Sequence, residues 1–125
     1  MRQQPDHPVA RHIFVTSLTS SIGLANTAAY AASKSAAMGV VRSLAVEWAP
    51  LGVTVNAVQP GYYRTQLTEA VFADPERRAW IEARIPAGRA GVGSDLAGAV
   101  VFLASAAASY VTGQAVTVDG GWLAS

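Results

Sequence analysis

Three residues with the chemistry to move a proton stand close together near the start of the chain: Ser17, Tyr30 and Lys34. Tyr30 and Lys34 are four residues apart, the separation that places two side chains on one face of a helix, one turn from each other. A phenol, with a reference pKa near 10, is a poor acid or base at neutral pH. An ammonium about 6 Å away, at an effective dielectric near 20, attracts the ionised phenol by roughly 3 kcal/mol, and so favours the form a proton relay needs. Ser17 adds a hydroxyl donor for the negative charge that builds on a carbonyl oxygen as hydride reaches its carbon. Hydride itself is carried by no side chain, so such a set works beside a redox cofactor. Taken alone, a tyrosine and a lysine at this spacing also describe a surface lysine beside a packed aromatic.

The elements that must hold these groups follow from the flanking sequence. His12 to Ser17 is β-branched and aromatic before ending in small polar residues, which predicts a buried strand running into a loop over Leu18 to Thr27. Asn26 or Thr27 can cap the next segment, and Ala28 to Trp48 contains no proline, which predicts a helix of about five or six turns. Small residues crowd its first half, Gly39 among them, although a helical glycine costs about 1 kcal/mol relative to alanine. Close packing against another backbone would account for that composition. Pro50 and Gly52 stop the helix, and Val53 to Val58 reads as a second strand before Pro60 and Gly61 break the run. Strand, helix and strand in this order give a right-handed βαβ unit with parallel strands. In such sheets ligands bind at the C-terminal ends of the strands.

Farther on, Thr65 to Ile85 reads as one or two short helices, with Asp74-Pro75 marking a start and Trp80, Ile81 and Ile85 as apolar anchors. Ser94 is expected to cap a helix through about Ala104, with Asp95 in its first turn. Gln114 to Val118 reads as the last strand, closed by Asp119-Gly120-Gly121. The fold class is α/β, with too few strands for a complete sheet.

Composition narrows the function classes. A chain of 125 residues with 51% hydrophobic and 14% charged residues packs as one small domain, or part of one, and is too apolar for a disordered segment. A net charge of +1 with scattered basic residues offers no field for a phosphate backbone, so nucleic acid is not an expected partner. There is no cysteine, and His7 and His12 lack partner ligands at recognised spacing, so no metal site is expected. No signal-peptide core and no apolar run of about 20 residues is present, so the expectation is a cytoplasmic protein without membrane association.

The whole pattern is more specific than its parts. Ser17, then YAASK from Tyr30 to Lys34, then NAVQPGYYRT from Asn56 to Thr65, then VTGQAVTVDGG from Val111 to Gly121 resembles the short-chain dehydrogenase/reductase family in order and spacing. The resemblance covers nearly all of the chain from Ile13 onward. It implies an oxidoreductase using NAD or NADP, a secondary alcohol or ketone as small-molecule substrate, and a homo-oligomer, dimer or tetramer. Carried over, Tyr30 is the general acid/base and also contacts the cofactor, Lys34 acts on the phenol and holds the nicotinamide ribose, and Ser17 orients the substrate. Pro60 and Gly61 form the turn against the nicotinamide, with the Tyr63 backbone and Thr65 placed for its carboxamide and the phosphates. A Pro-Gly pair also simply turns a chain.

Other family parts have no counterpart here. The family begins with a strand and a TGxxxGxG loop that holds the pyrophosphate, and an asparagine completing its catalytic group lies upstream of the serine. Gly88 to Gly93 is glycine-rich but follows no strand, and reads as a hinge or helix-entry loop. Met1-Arg2-Gln3-Gln4 resembles the end of the family's preceding helix. The expectation is therefore a partial, C-terminal domain over residues 1–125, part of a Rossmann-type doubly wound parallel sheet without its N-terminal dinucleotide-binding βαβ units. Such a chain is expected to be without useful cofactor affinity on its own.

The segments DGGWLA, VEWAP and RIPAGRAG are most similar to family members that oxidise sugar acids, such as gluconate 5-dehydrogenase and 2-deoxy-gluconate 3-dehydrogenase. Arg64, beside the Pro-Gly turn, reads either as a partner for a sugar-acid carboxylate or as a solvated surface arginine. Two alternatives stay open: a 3-oxoacyl-carrier reductase, and a noncatalytic subunit acting through the helices Ala28 to Trp48 and Asp95 to Ala104. Tyr62, Trp80 and Trp122 are as well explained by a core or an interface as by a pocket.

Overall fold

The computed structural model describes residues 10–125; His7 and the Met1 to Gln4 segment lie outside them. Three strands form one parallel sheet in the order β1 (Ala10–Val15), β2 (Val53–Pro60), β3 (Ala115–Val118). The register pairs Val15 with Val58 and Pro60 with Val118. The central strand, β2, is buried along six consecutive residues, Thr54 to Gln59, as expected of a parallel strand covered on both faces.

The two faces of β2 carry different cores. Val55 and Ala57 pack on Met38, Val41 and Ala45 of α1 (Ala28–Trp48). Val58 packs with Leu103 of the later helix, Ala108 and, less buried, Ile13 and Val116. Successive strand residues point to opposite faces, so the two helices sandwich the sheet. The second helix is α4 (Gly93–Ala104), after the short α2 (Glu69–Ala73) and α3 (Pro75–Arg84). Fully burying each such aliphatic side chain contributes on the order of 1.5–3 kcal/mol. Within the central strand Asn56, only 1% exposed, is satisfied at both ends: its Nδ2 donates to the Val111 carbonyl at 2.8 Å and its Oδ1 accepts from Gln114 N–H at 3.1 Å.

Several boundaries differ from the sequence expectation for identifiable reasons. β2 continues to Pro60 instead of stopping at Val58, because β3 pairs with it to the end and the Gly61 N–H supplies the donor that Pro60 lacks, to the Val118 carbonyl at 3.0 Å. β3 begins at Ala115, since the Gln114 N–H is taken by the Asn56 side chain. Thr27 does stand before α1, but its hydroxyl turns back to the Leu24 carbonyl at 2.7 Å and caps nothing; Asn26 adopts the left-handed conformation, φ 62°.

Ser94 is not the cap of α4. The helix starts at Gly93, and Asp95 reaches back to accept from Val92 N–H at 2.8 Å while a bidentate pair with Arg89, at 2.7 and 2.9 Å, holds it there. Asp95, the third residue of the helix, thus satisfies the N-cap N–H in the way the acidic member of a capping box does. In the small-residue half of α1, Gly39 has open space where a Cβ would stand.

Candidate active site at the strand ends

The loops that leave β1 and β2 meet above the C-terminal edge of the sheet. Thr16 anchors the first, both its N–H and its hydroxyl bonding the Val58 carbonyl, at 2.9 and 3.0 Å. This double bond carries the β1 register one residue past the strand. Ser17 then opens a tight 3-10 turn, Leu18–Ser20, and its Oγ accepts from Thr19 N–H at 3.3 Å. Accepting through a lone pair leaves the Ser17 hydroxyl proton free to donate.

Gly61 opens the second loop. A Cβ there would lie 2.7 Å from both Cα and Cβ of Asp119, so only glycine lets β2 pass the end of β3 this closely. Tyr63 follows, bridged to Gly91, and its hydroxyl donates to the Val118 carbonyl at 3.2 Å. Thr68 closes the loop, donating to the Tyr63 carbonyl and accepting from Thr65 N–H at 3.0 Å.

These loops and the start of α1 enclose a cavity of about 290 Å³. Ser17, Tyr30, Gly61 and Tyr63 line it together with Thr19, Thr27, Tyr62 and Thr68 and the leucines Leu18, Leu24 and Leu67. Lys34 sits one turn below Tyr30, its Nζ 5.6 Å from the centre of the phenol ring and donating to the Val15 carbonyl at 3.0 Å. That bond fixes the ammonium between the end of β1 and Tyr30. Tyr30 lines the cavity and is 45% exposed.

Thr65 and Pro60 are placed differently. Pro60 ends β2 immediately before the cavity-lining Gly61. Thr65 borders a neighbouring groove of about 530 Å³, with Arg64, Gln66, Glu69, Phe72 and Ala73. Arg64 does not reach the cavity: its guanidinium pairs with Glu82 at 2.9 Å and lies over the Phe72 ring. Among the described residues, the cavity lining holds no charged side chain.

Tyr62 belongs to both pocket and core, lining the cavity while packing on Trp122 at 4.7 Å. Trp122 itself is buried, with Trp80 edge-on against it and the Arg84 guanidinium over its ring. Burial pushes the Tyr62 phenol up, partly offset by Arg84. Burial also raises Tyr63, and the carboxylates of Asp95 and Asp119 add to the rise against the opposing charge of Arg89. Both phenols thus stay neutral hydrogen-bonding groups beside Tyr30. The lining threonines Thr19, Thr27 and Thr68 were not legible as site residues, since nothing in their spacing distinguishes them from loop threonines.

The family model for enoyl-(acyl carrier protein) reductase matches residues 1–123, and it takes in the serine, YAASK and NAVQPG segments at one stretch. The chain belongs to the short-chain dehydrogenase/reductase family. It is 51% identical over 112 residues to 2-dehydro-3-deoxy-D-gluconate 5-dehydrogenase of Escherichia coli, covering 90% of this chain and 44% of that one. It is 44% identical over 121 residues to the 3-oxoacyl-(acyl-carrier-protein) reductase of Salmonella typhimurium, covering 97% and 49%. Among solved structures, a Beutenbergia cavernae protein assigned as an NAD(P)-dependent gluconate 5-dehydrogenase, with NADP bound at low occupancy, superposes with a TM-score of 0.90 at 57% identity, over 92% of this chain and 46% of that one. The chain thus spans about half the length of the relatives it matches.

Proposed function

We propose that the chain forms the catalytic part of an NAD(P)-dependent oxidoreductase that interconverts a secondary alcohol and a ketone on a sugar acid or polyol such as gluconate. One observation carries this reading: Ser17 and Tyr30 open into one cavity with Gly61 and Tyr63, while Lys34 is pinned beside Tyr30 by the Val15 carbonyl.

In the reducing direction the Ser17 hydroxyl donates to the substrate carbonyl oxygen and the Tyr30 hydroxyl hands it a proton. In the oxidising direction the Tyr30 oxygen takes that proton back. The Lys34 ammonium, held by the Val15 carbonyl, stands beside the Tyr30 ring. A bound nicotinamide supplies the hydride exchange with the substrate carbon.

The residues present fit the nicotinamide end of such a cofactor. The Lys34 ammonium has donor capacity beyond its bond to Val15, the Tyr63 N–H has no protein acceptor among the described residues, and the Thr65 hydroxyl lies on an exposed loop. Gly61 brings backbone to the cavity wall. The described residues offer no glycine-rich phosphate loop after a strand, so we read residues 1–125 as a partial, C-terminal domain that acts with a nucleotide-binding half.

The lining hydroxyls of Ser17, Thr19, Thr27 and Thr68 suit a polyhydroxylated substrate. Leu18, Leu24 and Leu67 favour a second reading, an acyl chain, in line with the similarity to the oxoacyl reductase. With Arg64 held by Glu82, a substrate carboxylate is not met by that guanidinium. The test is a chimera placing this chain behind the nucleotide-binding half of the Beutenbergia cavernae relative, assayed with NADP and gluconate and, separately, with NADPH and an acetoacetyl thioester. Turnover of gluconate alone supports the main reading; turnover of the thioester alone replaces it with the second.

We also assign the chain to a cytoplasmic homo-oligomer, dimer or tetramer. No described helix is long and apolar enough to cross a membrane. Val46, 78% exposed on α1, and Val101, 65% exposed on α4, offer apolar contact surface. Sedimentation at rising concentration checks this, a purely monomeric boundary contradicting it. A noncatalytic subunit would associate without gaining turnover in the chimera.

A further inference from the structure

The geometry points to Gln59 as a positioning residue for Ser17, a role that deepens the proposed function by naming what aims its carbonyl-polarising hydroxyl. Gln59 is a polar residue near the end of the buried central strand, 3% exposed. A buried side-chain amide requires partners for both of its ends. The groups facing both ends lie on the turn that follows Ser17. The Gln59 Nε2 donates to Ser21 Oγ at 2.8 Å, and its Oε1 stands 3.5 Å from Ser20 Oγ. The single Ser20 hydroxyl proton goes to the much nearer Ser17 carbonyl, so the contact with Ser21 carries the argument.

The turn already closes on itself. Ser20 N–H bonds the Ser17 carbonyl at 3.0 Å, and Ser21 and Ile22 N–H both bond that of Leu18, at 2.8 and 3.0 Å. Those bonds shape the turn without fixing it to the sheet. Its hydrogen-bonded attachments to the sheet are Thr16 to the Val58 carbonyl on the near side and Gln59 on the far side, while Leu18 packs away from the sheet on Ile81, Ile85 and Trp122. Gln59 is also two residues before Gly61, which lines the same cavity as Ser17. One amide therefore ties the serine turn to the strand that carries the Pro-Gly turn, and so sets the spacing between the two walls. Behind it lies an open groove of about 750 Å³, bordered by Ser20, Ser21, Arg42, Gln59 and Thr117. Water in that groove competes for Ser21 once the amide is gone.

The experiment is amide hydrogen exchange by NMR on the chain itself, so it does not depend on turnover and separates this assignment from the proposed activity. In Gln59→Met, which keeps length and removes both polar ends, the Ser20, Ser21 and Ile22 amides should exchange at least about tenfold faster, while the Val41 and Ala45 amides in α1 keep their rates. Ser21→Ala removes the partner from the exposed side, where folding is not at risk, and should reproduce the effect. Ser21→Thr, which restores the hydroxyl, should return the turn to wild-type exchange. Unchanged exchange in Ser21→Ala, or the same acceleration in Ser21→Thr as in Ser21→Ala, overturns the assignment. If Gln59→Met loosens α1 as well, the Ser21 pair alone decides.

Discussion

Gly61→Ala adds one methyl group where the structure has no room for it. Its Cβ would stand 2.7 Å from Asp119 Cα and Cβ and 3.3 Å from the Asp119 carbonyl oxygen, against an optimal carbon separation of about 3.5–4.0 Å. Asp119 cannot swing aside. Gly61 N–H bonds the Val118 carbonyl at 3.0 Å, and the Asp119 carboxylate accepts from Gly121 and Leu123 N–H at 2.8 and 2.9 Å. Overpacking against fixed backbone costs about 1–3 kcal/mol. At about 4 °C per kcal/mol for a domain near this size, melting should fall by about 4–12 °C.

Gly39→Ala is the matched control of opposite sign. It lies within α1 with nothing inside 4 Å of the new Cβ, so it should gain up to about 1 kcal/mol of helix propensity. That corresponds to a rise of up to about 4 °C. Thermal unfolding of dilute wild type and both variants, followed by circular dichroism, gives the answer in one experiment. Equal melting temperatures for Gly61→Ala and wild type would show that the loop does not approach Asp119 as described, and the placement of the cavity wall would fall with it.

Three further outcomes are expected. Asp74→Ala removes the side chain that caps α3 by accepting from Glu76 and Arg77 N–H at 2.9 and 3.2 Å, and should cost about 1 kcal/mol in denaturant unfolding. In an alkaline absorbance titration, Tyr62 and Tyr63 should ionise above the ordinary tyrosine range because burial raises both. A phenol raised in the folded state ionises first in the unfolded chain, so its contribution to stability is full below pH of about 10 and is lost as pH climbs through the folded-state value. Fluorescence titration of this chain with NADPH should show no micromolar binding, whereas such binding would contradict the reading of a nicotinamide end without its adenine half.

How much was legible in the sequence follows the physics of each feature. The α1 span was readable because an uninterrupted, proline-free run ends at Pro50 and Gly52, and local signals of that kind act within a turn or two. Tyr30 and Lys34 fall on one helix face by spacing alone. The sharing of one cavity by Tyr30, Gly61 and Tyr63 could be expected only through the family resemblance, because contacts between residues so far apart in sequence are set by sheet register, which composition does not encode. Asp95 was legible as a first-turn charge, whereas its bond to Val92 N–H and its pairing with Arg89 were not. Arg64 was open between a carboxylate partner and a solvated surface arginine, and its half-exposed pairing with Glu82 on α3 accords with the second. Gln59 gave no signal in a strand otherwise read from its apolar residues.

The central claim is that Tyr30 moves the proton in the cavity it shares with Ser17. It is tested most directly by Tyr30→Phe in the chimera with the nucleotide-binding half of the Beutenbergia cavernae relative, comparing kcat and the Kd for NADP with the unsubstituted chimera. Removing a general acid/base should lower kcat by about 10²–10⁴-fold and leave NADP affinity nearly unchanged. A chimera that keeps its kcat without the Tyr30 hydroxyl would contradict the account.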